Sequence, residues 1–221
     1  MMKSMRRKKD LGIGGWMAHW YDNNTKNHRL KEMKMYAVEV ASHIKNGASV
    51  LEIAPGPGYL SIELAKLGKY YIVGWDISKD FVEIARKNAK AAGVEVDFRE
   101  GNAADIISPD SRFDFIICTA AFKNFKEPLK ALNEMHRVLK PGGTALIIDM
   151  NKNASKEQLE ASTREMGEKG LEAFFMQVTF KYFLKKGAYS KDEFMGLISQ
   201  TPFKNYDVKE KDISLFTHLQ K

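Results

Sequence analysis

The sequence predicts a doubly wound α/β domain, and three observations carry that reading. Between Ser49 and Met150, short β-branched or aromatic runs alternate with stretches of helical period, the signature of strand–helix–strand units and a parallel sheet. Glycines close the helical stretches, at Gly68, at Gly93 and at Lys140-Pro141-Gly142-Gly143. The strands run into turns of small residues, which in such a sheet gather at the carboxyl ends of the strands, where ligands bind.

The elements follow in order. A first strand at Ser49 to Ile53 leads to a helix from Tyr59 to Leu67, with Gly68 as its C-cap. After a strand at Tyr70 to Trp75, Ser78 caps a helix that carries Phe81, Val82, Ile84, Ala85 and Ala89 at core spacing. Strands at Val94 to Arg99 and Phe113 to Thr119, a helix from Pro128 to Leu139 and a fifth strand at Thr144 to Met150 complete the core. Outside it lie a Gly-rich hinge, an aromatic cluster and a helix from Leu30 to Ile44 on the N-terminal side. On the other side come a helical stretch to about Lys186, a helix near Lys191 to Ile198, and two strands at Tyr206 to Lys209 and Ile213 to Leu219.

A chain of 221 residues fits one domain with an inserted cap. We divide it into an N-terminal helical lid (1–45), a ligand-binding core (46–150), a helical cap insertion (151–189) and a final helix with paired strands (190–221). With 44% hydrophobic and 29% charged residues it reads as globular, and no apolar run approaches the ~20 residues that span a bilayer. The basic N-terminal cluster is followed by glycines and not by an apolar h-region, so a cytoplasmic location is expected. The single cysteine, Cys118, sits in an apolar run and reads as a core residue; one cysteine excludes an internal disulfide and a multi-thiolate zinc site. The five histidines show no metal-ligand spacing, so no metal is expected. The net charge of +7 is compatible with an acidic ligand, nucleic acid or an anionic membrane, but the lysines are spread along the chain and read as a solvated surface.

The central motif is Val50-Leu51-Glu52-Ile53-Ala54-Pro55-Gly56-Pro57-Gly58. Gly56 and Gly58 would let the backbone approach a ligand that a Cβ would displace. Glu52, inside the strand, could accept a hydrogen bond from a ligand ammonium. Asp76, at the end of the second strand, is placed to hold a ribose diol, with Ile77 beside it as an apolar face for a base. Gly101-Asn102-Ala103 and Thr119-Ala120-Ala121-Phe122 follow the third and fourth strands.

The run from Val50 to Met150 resembles the class I S-adenosylmethionine (SAM)-dependent methyltransferases, most closely the ubiquinone/menaquinone-biosynthesis type. The block from Phe113-Asp114-Phe115 through Phe122-Lys123-Asn124-Phe125 to His136-Arg137-Val138-Leu139-Lys140-Pro141-Gly142-Gly143 carries that likeness. The resemblance implies a mostly parallel, seven-stranded Rossmann-like sheet with a C-terminal antiparallel hairpin, and helical N-terminal and inserted cap segments. It implies SAM as cofactor and S-adenosylhomocysteine as product. Glu52, Ala54, Gly56 and Gly58 would line the methionine part, and Asp76 would bind the ribose hydroxyls. Ile77 would pack on adenine, and Asn102 and the Ala103 backbone would read its edge. Thr119, Ala120 and Tyr21 complete the expected cofactor set. Ala54 replaces the family's usual first glycine, and Asn102 stands where an aspartate is common.

Two rivals remain. Gly56-Pro57-Gly58-Tyr59-Leu60-Ser61 nearly matches a dinucleotide-binding turn, but Ser61 replaces the third glycine. A SAM-binding sensor or assembly protein without catalysis is the second. The turn after strand four has no proline, against acceptors such as adenine N6 or glutamine, and one cysteine argues against arsenic chemistry. A small-molecule acceptor is expected, with no nucleic acid and no stable membrane anchor. Methyl transfer from a sulfonium is an in-line displacement that positioning and water exclusion can drive; a base is needed only if the acceptor must lose a proton. His19 and Tyr21 are the candidates for it, and His136 reads as structural.

Two peripheral segments complete the expectation. Trp16, Trp20 and Tyr21 have no place in the sheet core and suggest a lid hinged near Gly12 to Gly15. In the cap, Leu171, Phe174, Phe175, Val178 and Tyr182 form one helical stripe, and Met176, Phe180, Phe183 and Leu184 a second on the opposite side. The second stripe would be buried against the N-terminal lid, a partner subunit in a homodimer, a membrane surface or an apolar acceptor. The cap and the N-terminal segment are expected to wall an apolar or aromatic acceptor pocket together, with Phe122, Phe180 and Phe183 lining it.

Overall fold

The structure, a computed structural model, describes residues 12–165 and 187–221. Among them are β1 (Ser49–Ile53), β2 (Tyr71–Asp76), β3 (Asp97–Glu100), β4 (Phe113–Thr119), β5 (Leu139–Met150), β6 (Asn205–Lys211) and β7 (Ser214–Gln220). They form one sheet in the order β3-β2-β1-β4-β5-β7-β6, parallel from β3 to β5, with β7 antiparallel to both of its neighbours. The helices are α1 (Trp16–Asn24), α2 (Leu30–His43), α3 (Tyr59–Ala65), α4 (Lys79–Ala92), α5 (Pro128–Val138), α6 (Lys156–Glu165) and α7 (Lys191–Ile198).

Strand β1 is buried along its whole length because helices cover both faces, which is why its sequence reads as near-continuous apolar residues. Leu51 and Ile53 face Leu132 and Met135 of α5 and Phe194 and Ile198 of α7. Val50 faces the other way, into Met33, Ala37 and Val40 of α2 and Leu60 and Leu64 of α3. Each such side chain contributes about 1.5–3 kcal/mol by leaving water. The chain moves outward from β1 to β2 to β3, then returns to β4 on the other side of β1. That reversal opens a crevice at the carboxyl ends of β1 and β4, the ligand position of doubly wound sheets.

The seven-stranded sheet, its terminal hairpin and the Ser78 and Gly93 caps agree with the sequence reading. Ser78 Oγ accepts from Phe81 N at 3.2 Å, and Gly93 closes α4 at φ 68°. Four boundaries differ. Helix α3 ends at Ala65 with Lys66 as its cap, and Gly68 serves instead to admit the Asn46 and Tyr70 side chains, which a Cβ would meet at 2.8 Å. Strand β3 begins at Asp97, not Val94, because Val94 N donates to Ala89 O at 3.1 Å in the turn that closes α4. Strand β5 begins at Leu139 and runs through Pro141-Gly142-Gly143, where a register shift between Phe113 and Phe115 accommodates a proline that has no N–H to give the ladder. The N-terminal helix begins at Trp16, and a π-helical turn at Thr25–Arg29 joins α1 to α2 in one run. Its start has no side-chain cap and was hidden for that reason; Gly15 N donates across the molecule to Asp80 Oδ2 at 2.5 Å instead.

Candidate functional site

Glu52 projects from β1 toward α3 and is 2% exposed. Its Oε2 accepts from Ser61 N at 3.0 Å and from the Ser61 hydroxyl, so a strand residue caps the first turn of a helix that has no local side-chain cap. Oε1 has no hydrogen-bond partner among the described residues. Burial pushes the Glu52 carboxyl up to about 7, the Ser61 bonds oppose that, and nearby Asp76 adds to it.

The turn after β1 holds Ala54, Gly56 and Gly58 at φ 56°, 54° and 82°. One of these, Gly58, has a different role from the one the sequence suggested. A Cβ on Gly58 would meet Phe98 Cζ at 2.6 Å and Ala85 Cβ at 2.9 Å, so this glycine makes room for core packing and not for a ligand. A Cβ on Gly56 would meet only Tyr21 Cε1, at an ordinary contact distance of 3.8 Å, so this turn lies against the Tyr21 ring and has no close core neighbour like that of Gly58. Ala54 occupies a left-handed conformation that costs an L-residue about 1–2 kcal/mol. Ala54→Gly should therefore raise stability by about 0.5–1 kcal/mol after the extra chain entropy of glycine is subtracted, readable by urea unfolding.

Asp76 closes β2, 5% exposed. Its Oδ2 accepts from Gly56 N at 2.9 Å and its Oδ1 from Ser78 N at 2.8 Å, which ties the two candidate turns together. Burial raises the Asp76 carboxyl, and the two amides hold it down. Ile77 beside it is 37% exposed, an apolar face left open. Asn102 differs from expectation: its Oδ1 accepts from Ala104 N at 2.8 Å, so the side chain shapes its own turn, while its backbone O accepts from Trp75 Nε1 at 3.1 Å. Ala103 is buried against the Leu51 and Trp75 cluster.

Past β4, Thr119 and Ala120 are half-buried at the crevice, and Ala120 N donates to Ile148 O at 2.8 Å. Lys123, only 4% exposed in its side chain, donates through Nζ to Asp149 Oδ1 at 3.0 Å and to Ala120 O at 2.6 Å, and Lys123 N donates to Asp149 Oδ2 at 2.8 Å. This buried pair pins the post-β4 loop to the end of β5, and the sequence reading missed it. Phe122, expected in the acceptor pocket, is fully buried among Phe125, Tyr189 and Phe194 at ring separations of 5.2, 6.0 and 5.0 Å, and so belongs to the core. Phe180, Phe183 and both stripes of the cap helix lie outside the described residues.

Helix α1 roofs the crevice. Ala18 and Tyr21 pack on Phe81 and Ile84 of α4, and the Tyr21 ring meets Phe81 edge-on at 5.6 Å. Asp22 accepts from Tyr59 Oη at 2.9 Å and from Asn88 Nδ2 at 3.0 Å, a link between lid, α3 and α4 that the sequence did not reveal. Tyr21 Oη accepts from Arg29 Nη1 at 3.1 Å. His19 is exposed, two positions and about 200° around the helix from Tyr21, so it does not face the site. Ligand binding beneath this roof should slow amide exchange across residues 16–28, measured with and without SAM. Equal exchange in both states would show that α1 is permanently docked.

With the roles the resemblance implies, the Glu52 Oε1 would take an ammonium, Asp76 would take the ribose hydroxyls through oxygens already held by Gly56 N and Ser78 N, and the exposed Ile77 would face adenine. Asp76→Ala should weaken SAM binding by roughly 10–150-fold, the equivalent of about 1.5–3 kcal/mol, and calorimetry on the folded variant would measure it.

Comparisons with known proteins agree. The chain is 35% identical over 120 residues to a demethylmenaquinone methyltransferase of Deinococcus radiodurans, covering 54% of this chain and 49% of that protein. It is 32% identical over 131 residues to a ubiquinone/menaquinone biosynthesis C-methyltransferase of Escherichia fergusonii, covering 57% and 50%. The chain thus spans about half the length of the curated relatives it matches. A crystal structure from Methanococcus maripaludis, of a protein assigned to the S-adenosyl-L-methionine-dependent methyltransferases, shares the fold with a TM-score of 0.79 at 22% identity, covering 100% of this chain and 97% of that one. The family model described as a methyltransferase domain matches residues 44–213, more than three quarters of the sequence, and the chain belongs to that family.

Proposed function

We propose that this protein transfers a methyl group from SAM to a small apolar or aromatic acceptor of the quinol type. One observation carries the reading: a buried carboxylate, Glu52, keeps one oxygen without a hydrogen-bond partner among the described residues, in the strand that leads into the Gly56 turn. A buried carboxylate without a cation is costly, and its raised pKa is the signature of that cost. A ligand that brings an ammonium to this point relieves it. The relatives that act on demethylmenaquinone and in ubiquinone/menaquinone biosynthesis supply the acceptor class.

When bound, SAM supplies an electrophilic methyl on a sulfonium. The chain's part is to hold and shield it. Glu52 would hold the methionine end of the cofactor, Asp76 its ribose and Ile77 its adenine. Tyr21 and the α1 roof keep water from the crevice, so that an in-line approach is populated. Of the two base candidates, only Tyr21 faces the site.

The test is S-adenosylhomocysteine formation with a reduced, prenylated 1,4-naphthoquinone, compared with hydrophilic amines and phenols. Turnover confined to the quinol supports the proposal, and turnover confined to the hydrophilic compounds overturns the acceptor class. SAM binding without turnover of any class would favour the sensor or assembly reading.

A further inference from the structure

We infer that the outward face of α1 docks reversibly on the surface of an anionic lipid bilayer. The helix has two apolar sides. The inner one, Ala18 and Tyr21, packs on α4. The outer one carries Trp16, Met17 and Trp20, which are 77%, 48% and 60% exposed, and Ile13, 40% exposed, precedes the helix. Two tryptophans and a methionine exposed on one short helix form the kind of apolar patch that marks an interaction surface, and tryptophan is the residue most suited to a membrane–water interface.

Charge selects the occupant. Residues 1–45 carry ten lysines and arginines against four acidic residues, so +6 of the chain's net +7 lies in this fifth of the sequence. Lys3, Arg6, Arg7, Lys8 and Lys9 lie within ten residues of Ile13 along the chain, and Lys26, Lys31 and Lys34 follow α1 on the same helical run. A basic sequence that flanks an exposed apolar stripe along the chain is complementary to acidic headgroups. A second copy of the chain would instead bring a second +6 segment against the first, which like-charge repulsion opposes. No helix among the described residues is long and apolar enough to cross a membrane, so the contact is with the surface. Because the inner face of α1 roofs the crevice, docking the outer face would set the crevice mouth beside the bilayer. The inference rests on the surface alone and stands apart from the acceptor assignment.

The full chain should be mixed with vesicles of pure phosphatidylcholine and with vesicles of equal parts phosphatidylglycerol and phosphatidylcholine, and binding read by flotation and tryptophan emission. Trp75 is buried, so an emission shift reports Trp16 and Trp20. Binding to the phosphatidylglycerol vesicles with a blue shift is expected, lost in high salt and weakened about tenfold or more in the Trp16→Ser/Trp20→Ser variant. The variant's SAM affinity should match wild type, which shows that it is folded. No binding to phosphatidylglycerol vesicles, or equal binding by wild type and variant, would overturn the inference. So would a dimeric mass by light scattering that the variant reduces to a monomer, since that result assigns the stripe to a second copy.

Discussion

Lys123→Met should destabilise the protein by about 3–5 kcal/mol, the largest effect we expect from a single substitution here. The Lys123 ammonium and the Asp149 carboxylate are both almost completely enclosed, 4% and 9% exposed, at 3.0 Å. Two charges out of water are tolerable only together, and removing one leaves the other without compensation in a low-dielectric interior. Asp149 would keep its bonds from Lys123 N and Met150 N, which holds the cost toward the lower end of the range. The double variant Lys123→Met/Asp149→Leu should recover much of the loss. Urea unfolding of both singles and the double gives the coupling directly. Single and double variants that lose the same stability would show that the pair is not the source. Because Lys123 Nζ also ties the Ala120 carbonyl to β5, both variants that lack the lysine should bind SAM more weakly than wild type.

That pair also shows where the sequence is silent. Lys123 reads as one more lysine in a lysine-rich chain, and its burial depends on a carboxylate 26 positions away. A signal was present on the other side: Asp149 is the one charged residue in the apolar run from Thr144 to Met150, and an ionisable group inside a buried strand demands a partner. The doubly wound, mostly parallel sheet, by contrast, was readable because strand and helix periods alternate along the chain. The turns that follow the strands were readable because strand ends and small residues are local features. Gly58 was legible as necessary but not as to why. Its neighbour Phe98 arrives from β3, and only the fold brings that ring to within 2.6 Å of a Cβ position. His19 and Tyr21 were inseparable in sequence because nothing there announced that α1 begins at Trp16 or which way it faces. The Ile13 to Trp20 stripe went unread for the same reason, because without a helix it is only an aromatic cluster.

Glu52→Gln should have opposite effects on stability and on binding, and that opposition separates a ligand-binding carboxylate from a structural one. In the ligand-free protein the Glu52 carboxyl titrates at about 7 against an ordinary value of 4.5. A raised carboxyl means that the folded state holds the proton more tightly than the unfolded chain. Its contribution to stability is complete below about 4.5 and is lost as pH rises toward 7, a difference of about 3 kcal/mol. Glutamine keeps an oxygen for the Ser61 amide and hydroxyl and never ionises, so the variant should be the more stable protein at pH 8 and close to wild type at pH 5. Binding runs the other way. A cationic ligand group at Oε1 favours the ionised carboxylate, so wild-type affinity for SAM should climb as pH passes through about 7. The variant should bind roughly 10–100-fold more weakly at pH 8, for the loss of a charge-assisted hydrogen bond. Its own pH profile reports any titration of the ligand itself, and the ratio of the two isolates Glu52. Calorimetry at several pH values, paired with urea unfolding of the ligand-free proteins, measures both halves. Wild-type affinity in the variant at pH 8 would reduce Glu52 to the cap of α3, and the ammonium of the cofactor would then have to find its acceptor elsewhere in the crevice.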